Sequence, residues 1–226
     1  MTFSRAFIAS QLTVPEMYFP FEKYGYEDSN FFTDKEHWHM AARISKDGMW
    51  RVTYGEVSGL SNEELRARHP QKMKAILPGP DEYQLANFSP YKVHQRLAKS
   101  MRVGRFCLAA DAAHLCNPFG GMGLTGGIVD VGGLYDCLIG IYTGKADDSI
   151  LDRYSEIRRE KFNTVTDPVS SSNIKRMWAD PEGLYERDEF LQFLKKAETD
   201  PKLAEEGAKA AEALMFDFTQ FYNSSA

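Results

Sequence analysis

Cysteine is scarce in this sequence. Three thiols occur in 226 residues, at Cys107, Cys116 and Cys137, without a C-x-x-C pair. An odd number at wide spacing speaks against a disulfide framework or a zinc site and for reduced thiols in a cytoplasmic chain. No other metal-ligand spacing and no Ser-His-Asp arrangement stands out. Basic charge is also short. Lys and Arg number 27 against 32 Asp and Glu, a net charge of −5, whereas nucleic-acid binding usually needs a basic face. No block of like charge is long enough for an interaction tail. No apolar run approaches the ~18 residues of a membrane span. The first ten residues hold one basic side chain and no apolar stretch long enough for a signal-peptide core.

What the chain does have is apolar and aromatic mass. Hydrophobic residues make up 43% and Phe, Tyr and Trp 13%, enough for one large domain or two small ones. The aromatic share suits a flat apolar ligand, and an aromatic-rich core equally well. Residues 1–57 read as β structure. Met17-Tyr-Phe-Pro-Phe is a strand candidate that Pro20 places at an edge or bend, and Ser29-Asn-Phe-Phe-Thr is another. Asp47-Gly48 between two β-rich runs signals a hairpin, because a tight primed turn needs positive φ. In its second arm Trp50, Val52 and Tyr54 alternate with Arg51 and Thr53, giving one apolar and one polar face.

Ser61 and Glu64 form an S-x-x-E capping box for a helix that should stop before Pro78. Residues 83–103 read as extended. Phe106-Cys-Leu-Ala-Ala reads as a short buried strand. Five glycines follow, at 120, 121, 123, 126 and 127. A helix is then expected from about Gly127, burying Ile128, Val131, Leu134, Tyr135, Leu138 and Ile139. Ser149 is the expected cap of the next helix, which Asp167-Pro168 should end. The rest reads as helical, broken at Asp180-Pro181 and Asp200-Pro201.

The chemistry concentrates between Gly104 and Asp130. A strand ending at Asp111 offers a carboxylate to a sugar-like hydroxyl. A glycine loop lets a ligand approach the backbone. The loop feeds a helix N-terminus, whose free N–H groups and dipole favour an anion. Gly121-Met-Gly-Leu-Thr-Gly126 has the letters of a dinucleotide fingerprint, but roughly ten residues separate it from the strand and no third strand follows.

This segment resembles the second FAD-binding motif of the flavin-dependent aromatic hydroxylases, the para-hydroxybenzoate hydroxylase-like monooxygenases. The matching pieces are Ala109-Ala-Asp-Ala-Ala-His, Asn117-Pro-Phe-Gly-Gly-Met-Gly and Gly127-Ile-Val-Asp. Ala110 replaces the usual glycine and Asn117 the first proline. The resemblance implies that Asp111 binds the ribityl chain of FAD. It places Pro118 and the backbone of Gly120, Gly121, Met122, Gly123 and Leu124 beside the pyrimidine end of the flavin. Asp130 would brace the loop, or simply partner local backbone N–H groups. The family's N-terminal βαβ unit with G-x-G-x-x-G, and its Asp-Gly motif with a downstream Arg, do not occur. The chain therefore reads as a fragment, a mis-split product or a member that has lost its nucleotide domain, and FAD binding by it alone is expected to be weak or absent.

The expected fold is α+β. Residues 1–97 form a substrate-domain-like antiparallel sheet; residues 98–226 form a partial FAD-binding part, strand–glycine loop–helix, with C-terminal helices. The expected function is an FAD- and NAD(P)H-dependent hydroxylase of an aromatic or polyketide-like small molecule, with a homo-oligomer or a completing partner chain possible. The alternative is a cofactor-free binding protein, isomerase or cyclase that reuses the pocket. Oxygen transfer in this family is carried out on the flavin, so few catalytic side chains are expected. His37 and His39 share a strand face as a substrate-pocket pair or as surface histidines beside Glu36. Tyr54, with Tyr18, Tyr24 and Tyr26, can orient a phenol or simply pack. His114 is read as a structural hydrogen-bonder, and His69 and His94 carry no signal.

Overall fold

The computed structural model describes residues 11–223. The first ten residues of the predicted β region lie outside this range. The described residues form two compact units. One runs up to Val93 and includes Ile174–Leu184; the other holds His94–Asn173 and the chain from Tyr185.

The first unit is built on a five-stranded antiparallel sheet. Its strands are β1 (Gln11–Tyr18), β2 (Ser29–Phe32), β3 (His39–Arg43), β4 (Met49–Glu56) and β5 (Gln84–Lys92), in the order β2-β3-β4-β1-β5. The Asp47-Gly48 turn joins β3 to β4, with Gly48 at φ +88°. It sets the register that places His39 opposite Tyr54 and Ala41 opposite Val52. Trp50, Val52 and Tyr54 are buried, and Arg51 turns outward to meet Glu16 at 2.6 Å. Thr53 is buried too, so the polar face of β4 is not open to water at that position. The aromatic stretch at Met17 is strand only to Tyr18; Pro20 then leads into a 3₁₀ turn at Phe21–Tyr24. That turn folds Phe21 back onto Trp50, ring centroids 4.7 Å apart. Each large apolar side chain sealed here contributes about 1.5–3 kcal/mol.

Helix α1 (Asn62–Ile76) starts at the predicted capping box. Ser61 Oγ accepts from the Glu64 N–H, and Glu64 Oε2 accepts from the Ser61 N–H. Its buried side chains Leu65, His69, Met73 and Ile76 recur at helical spacing, and His69 bonds Tyr54 of β4.

The second unit is mostly helical, and five expectations need correction there. The segment after Gly104 is not a buried five-residue strand. Only β8 (Phe106–Cys107) is extended, paired with β7 (Arg102–Val103), and Phe106 is 83% exposed. Two residues on either side make a hairpin but no sheet for an apolar strand to enter. A second small ladder pairs β6 (Arg96–Leu97) with β9 (His114–Leu115).

Helix α2 begins at Met122, not near Gly127, and runs to Tyr142. Its expected buried face is reversed. Gly126, Gly127, Asp130, Gly133, Cys137 and Gly140 are buried, whereas Ile128, Val131, Tyr135, Leu138 and Ile139 are exposed and Leu134 is half-buried. Close approach explains the choice. A Cβ on Gly133 would lie 2.6 Å from the Phe218 ring, and one on Gly140 2.4 Å from the Tyr222 ring. By length and composition α2 could cross a membrane, but its Asp130 is fully buried in ion pairs within this unit.

Ser149 precedes α3 (Ile150–Lys161) without making a cap bond; Asp147 accepts the Ser149 N–H instead. Asp167-Pro168 does not end the helical path. A π turn over Phe162–Thr166 follows α3, and Asp167 opens α4 (Asp167–Met177). Proline is tolerated there because the π turn has already interrupted the i to i−4 ladder. Beyond α4 come α5 (Leu184–Arg187), α6 (Glu189–Ala197) and α7 (Pro201–Lys209). The predicted break at Asp200-Pro201 is the start of α7, capped by Asp200.

Candidate functional site

Three short elements present the glycine loop. Ala110–Ala112 forms a single 3₁₀ turn that leaves Asp111 exposed. Asn117 is buried and turns the chain. Its Oδ1 accepts the Phe119 N–H at 3.0 Å, and its own N–H donates to Gln95 Oε1 at 3.0 Å. Gln95 Nε2 donates in turn to Asp167 and Ser170. Gly120 and Gly121 then take φ +138° and +65°, and Gly121 caps α2. An added Cβ at Gly121 would meet nothing within 4 Å, and one at Gly123 only Cys116 Sγ at 3.9 Å. The first N–H groups of α2 have no acceptor within the helix. The result is an exposed carboxylate, an open backbone ridge and a helix N-terminus in sequence.

Behind the loop lies a buried ionic brace. Asp130 Oδ1 accepts from Arg158 Nε at 2.6 Å, and its Oδ2 accepts from His114 Nε2 at 2.7 Å and from the Ala110 N–H at 3.0 Å. Arg158 also donates to the Leu214 carbonyl at 2.5 Å. Burial pushes the Asp130 carboxyl up, but the His114 and Arg158 bonds and the Arg158 charge outweigh it and hold it below the usual range. The carboxylate ties the start of the loop to α2 and α3 together, which is the bracing role.

Ala110 is the only non-glycine at positive φ among the described residues, at +54°. A side chain there costs roughly 1–2 kcal/mol. This conformation accounts for the glycine usual at that position of the motif. Ala110→Gly should therefore stabilise the second unit by about 0.5–1 kcal/mol once the added freedom of the unfolded chain is subtracted. Chemical denaturation would show it as a raised midpoint; an unchanged or lowered one would mean that Ala110 is not strained.

The sequence pattern of the FAD binding domain matches residues 37–169, more than half of the chain. This chain belongs to the FAD binding domain family. It is 38% identical over 203 residues to para-nitrophenol 4-monooxygenase of Pseudomonas sp. (strain WBC-3), covering 88% of this chain and 50% of that protein. It is 38% identical over 174 residues to 6-hydroxy-3-succinoylpyridine 3-monooxygenase of Pseudomonas putida (strain DSM 28022 / S16), covering 74% and 44%. The crystal structure of p-nitrophenol 4-monooxygenase from Pseudomonas putida DLL-E4 superposes with a TM-score of 0.78 at 36% identity, over 92% of this chain and 53% of that one. The chain thus spans about half the length of these relatives.

Against this family background the histidines and tyrosines of the first unit are mostly engaged in packing. His39 is buried, not a surface residue; its Nδ1 faces the His37 carbonyl at 2.9 Å and its ring stacks on Phe32 at 4.4 Å. His37 is half-buried and lines a polar cavity of about 390 Å³ with Glu36, Arg68 and Lys72. Tyr54 is sealed beneath α1, its hydroxyl 3.0 Å from His69 Nδ1, and burial raises its pKa far above the usual phenol value. Tyr18 and Tyr24 donate to Asp47 and Asp81, and Tyr26 packs on the aromatic core.

Arg158, Gln95 and Asn117 were not legible as site residues. Arg158 did leave a trace, since it falls one turn beyond Tyr154 on the face of α3 that carries Leu151, Tyr154 and Ser155. A charge on a buried stripe needs a buried partner.

Proposed function

We propose that this chain supplies the flavin-ring half of an FAD site in a hydroxylase of small hydroxylated aromatic or polyketide-like molecules. The observation that carries this reading is the loop from Asp111 to Leu124, with Asp111, Pro118, Gly120 and Gly121 exposed, running onto the N-terminus of α2 over a buried ionic brace. Asp111 would accept hydrogen bonds from the ribityl hydroxyls. Pro118 and the backbone of Gly120, Gly121, Met122, Gly123 and Leu124 would lie beside the pyrimidine end of the ring, where bare glycines leave room for a flat ligand. The α2 N-terminus would stabilise negative charge on the reduced ring. When bound, FAD reduced by NAD(P)H supplies the oxygen-transfer chemistry; the residues of this chain hold and orient it. The substrate class follows the relatives, which are named for p-nitrophenol and for a hydroxypyridine. His37, on its polar cavity, is the candidate of the first unit best placed to meet a ligand.

The chain joined to the remaining part of the WBC-3 relative should bind FAD, whereas the chain alone should bind it weakly. Asp111→Ala should then lower affinity about tenfold to a hundredfold, since a hydrogen bond to a charged group is worth roughly 1.5–3 kcal/mol. Gly123→Val should do at least as much damage by placing a branched side chain on the ridge. Flavin fluorescence titration reads both. A chimera that folds and binds FAD with unchanged affinity in both variants would remove the loop from the site. A chimera that never binds FAD, while the native chain converts a small molecule without it, would favour the cofactor-free alternative.

A further inference from the structure

Asn117 stands where the motif usually has its first proline, and it makes bonds that a proline cannot. A proline shapes a turn through its ring and donates nothing. Asn117 closes an Asx turn, its Oδ1 accepting the Phe119 N–H. Its own N–H and its Nδ2 both donate to one atom, Gln95 Oε1, at 3.0 and 3.3 Å. The other end of that carboxamide, Gln95 Nε2, donates to Asp167 Oδ1 at 2.8 Å and to Ser170 Oγ at 2.9 Å. Ser170 Oγ is free to accept because it gives its own proton to the Thr166 carbonyl at 2.6 Å. The network therefore holds the carboxamide in one orientation. Turned over, it would set an NH2 group against N–H donors and a carbonyl against a carboxylate. Gln95 lies just past Val93, where the chain enters the second unit, and α4 carries the chain out of it at Ile174.

We propose that Gln95 is a positioning residue for the flavin, acting through Asn117 on the Pro118–Gly121 turn. The inference rests on the reading of the glycine loop as a flavin site. It adds a residue that touches no ligand and stands 22 positions ahead of Asn117 in the chain. The physical need is plain. Gly120 and Gly121 take positive φ, and bare glycines do not hold a conformation by themselves. The Gly121 N–H closes the turn on the Pro118 carbonyl at 3.2 Å, so its direction is set by the residue that enters it. A proline would stiffen that entry covalently; here the Gln95 carboxamide does so by fastening Asn117 to the first turn of α4. Gly120 also lies against α4, where an added Cβ would be 3.3 Å from Asn173 Nδ2 and 3.8 Å from Ser170 Cα. Four directed bonds through one side chain fix a geometry, whereas filling the same space would need none. The ridge offered to a flat ring is thereby held at a set height on α4.

The test has two arms. In the full chain, Gln95→Met should speed amide hydrogen exchange at Asn117 and Phe119 by about tenfold or more, with exchange in α3 unchanged. In the chimera with the remaining part of the WBC-3 relative, Gln95→Met should lower FAD affinity about tenfold by flavin fluorescence titration. Gln95→Glu separates positioning from packing. Its carboxylate would face Asp167 and repel it, so FAD affinity should be low at about pH 8 and recover toward about pH 5.5 as the pair takes up a proton and the donor to Asp167 returns. The Cys116 thiol, which also lies near Asp167 and Asp111, is kept neutral by burial throughout. The wild-type chimera should show no such recovery. Asp111→Ala is the control for the flavin reading. If it lowers affinity while both Gln95 variants bind FAD as the wild type does, the inference is overturned and the reading stands. If Asp111→Ala is equally silent, or the chimera binds no FAD, both fall together. Faster exchange with no loss of FAD affinity would also overturn the role of Gln95, as would a Gln95→Glu affinity that does not respond to acid.

Discussion

Arg158→Met is expected to destabilise the second unit by about 3–5 kcal/mol, because it leaves the Asp130 carboxylate buried without its cation. Asp130 and Arg158 are both almost fully buried, 2.6 Å apart. His114 still donates to Asp130 Oδ2, but Oδ1 and the Leu214 carbonyl both lose the donor that Arg158 supplied. Asp130→Leu combined with Arg158→Met should lose less than Arg158→Met alone, as no unpaired charge remains. Urea unfolding of the two single variants and the double variant gives the coupling directly. A loss below about 1 kcal/mol in Arg158→Met would show that the pair does not hold the loop. The same brace gives an acid limit. The Asp130 carboxyl is held below 3.8 in the folded state, so its contribution is present above that pH and fades as pH falls through the lowered value.

Mild acid should act on the first unit through His69. Burial, with a smaller push from the Arg66 charge, lowers its pKa from 6.5 to about 4. Between those values the unfolded chain binds a proton that the folded chain refuses. Stability is therefore complete above pH 6.5 and declines as pH falls toward 4. That gap is worth at most about 3 kcal/mol. His39, buried against Phe32, is displaced in the same direction by burial. His69→Gln keeps a hydrogen-bonding partner for Tyr54 and removes the titration. Urea midpoints measured between pH 7 and 4.5 should fall more steeply for the wild type than for His69→Gln. Parallel slopes would show that His69 protonates freely in the folded protein.

Several parts of this protein were legible one element at a time. The Ser61–Glu64 box, the Asp47-Gly48 hairpin and the stop before Pro78 depend on atoms within a few residues, and each folds as local chemistry dictates. The motif from Ala109 to Asp130 was legible because its glycines, prolines and carboxylates follow a fixed order along the chain. Even its departures have a reading in the structure: Ala110 strains where glycine is usual, and Asn117 turns the loop through side-chain bonds.

The two faces of α2 show where this reasoning stops. Periodicity establishes that Ile128, Val131, Tyr135 and Leu138 share a side, but not what stands opposite them. Within this chain the aromatic rings of Phe218 and Tyr222 pack onto the glycine side instead, and the apolar stripe is left outside. Arg158 and His69 are similar cases. Each is an ordinary polar side chain until a residue distant in sequence is brought against it, Asp130 for one and Tyr54 for the other. The sequence by itself determined the Asp47-Gly48 hairpin, the cap of α1 and the order of the loop, because those are contests between a residue and its near neighbours, whereas the strand at Phe106 and the cap at Ser149 yielded to their surroundings. Only the tertiary structure decided which face is buried and which charges are paired, because burial and desolvation depend on the partner that arrives from elsewhere in the chain.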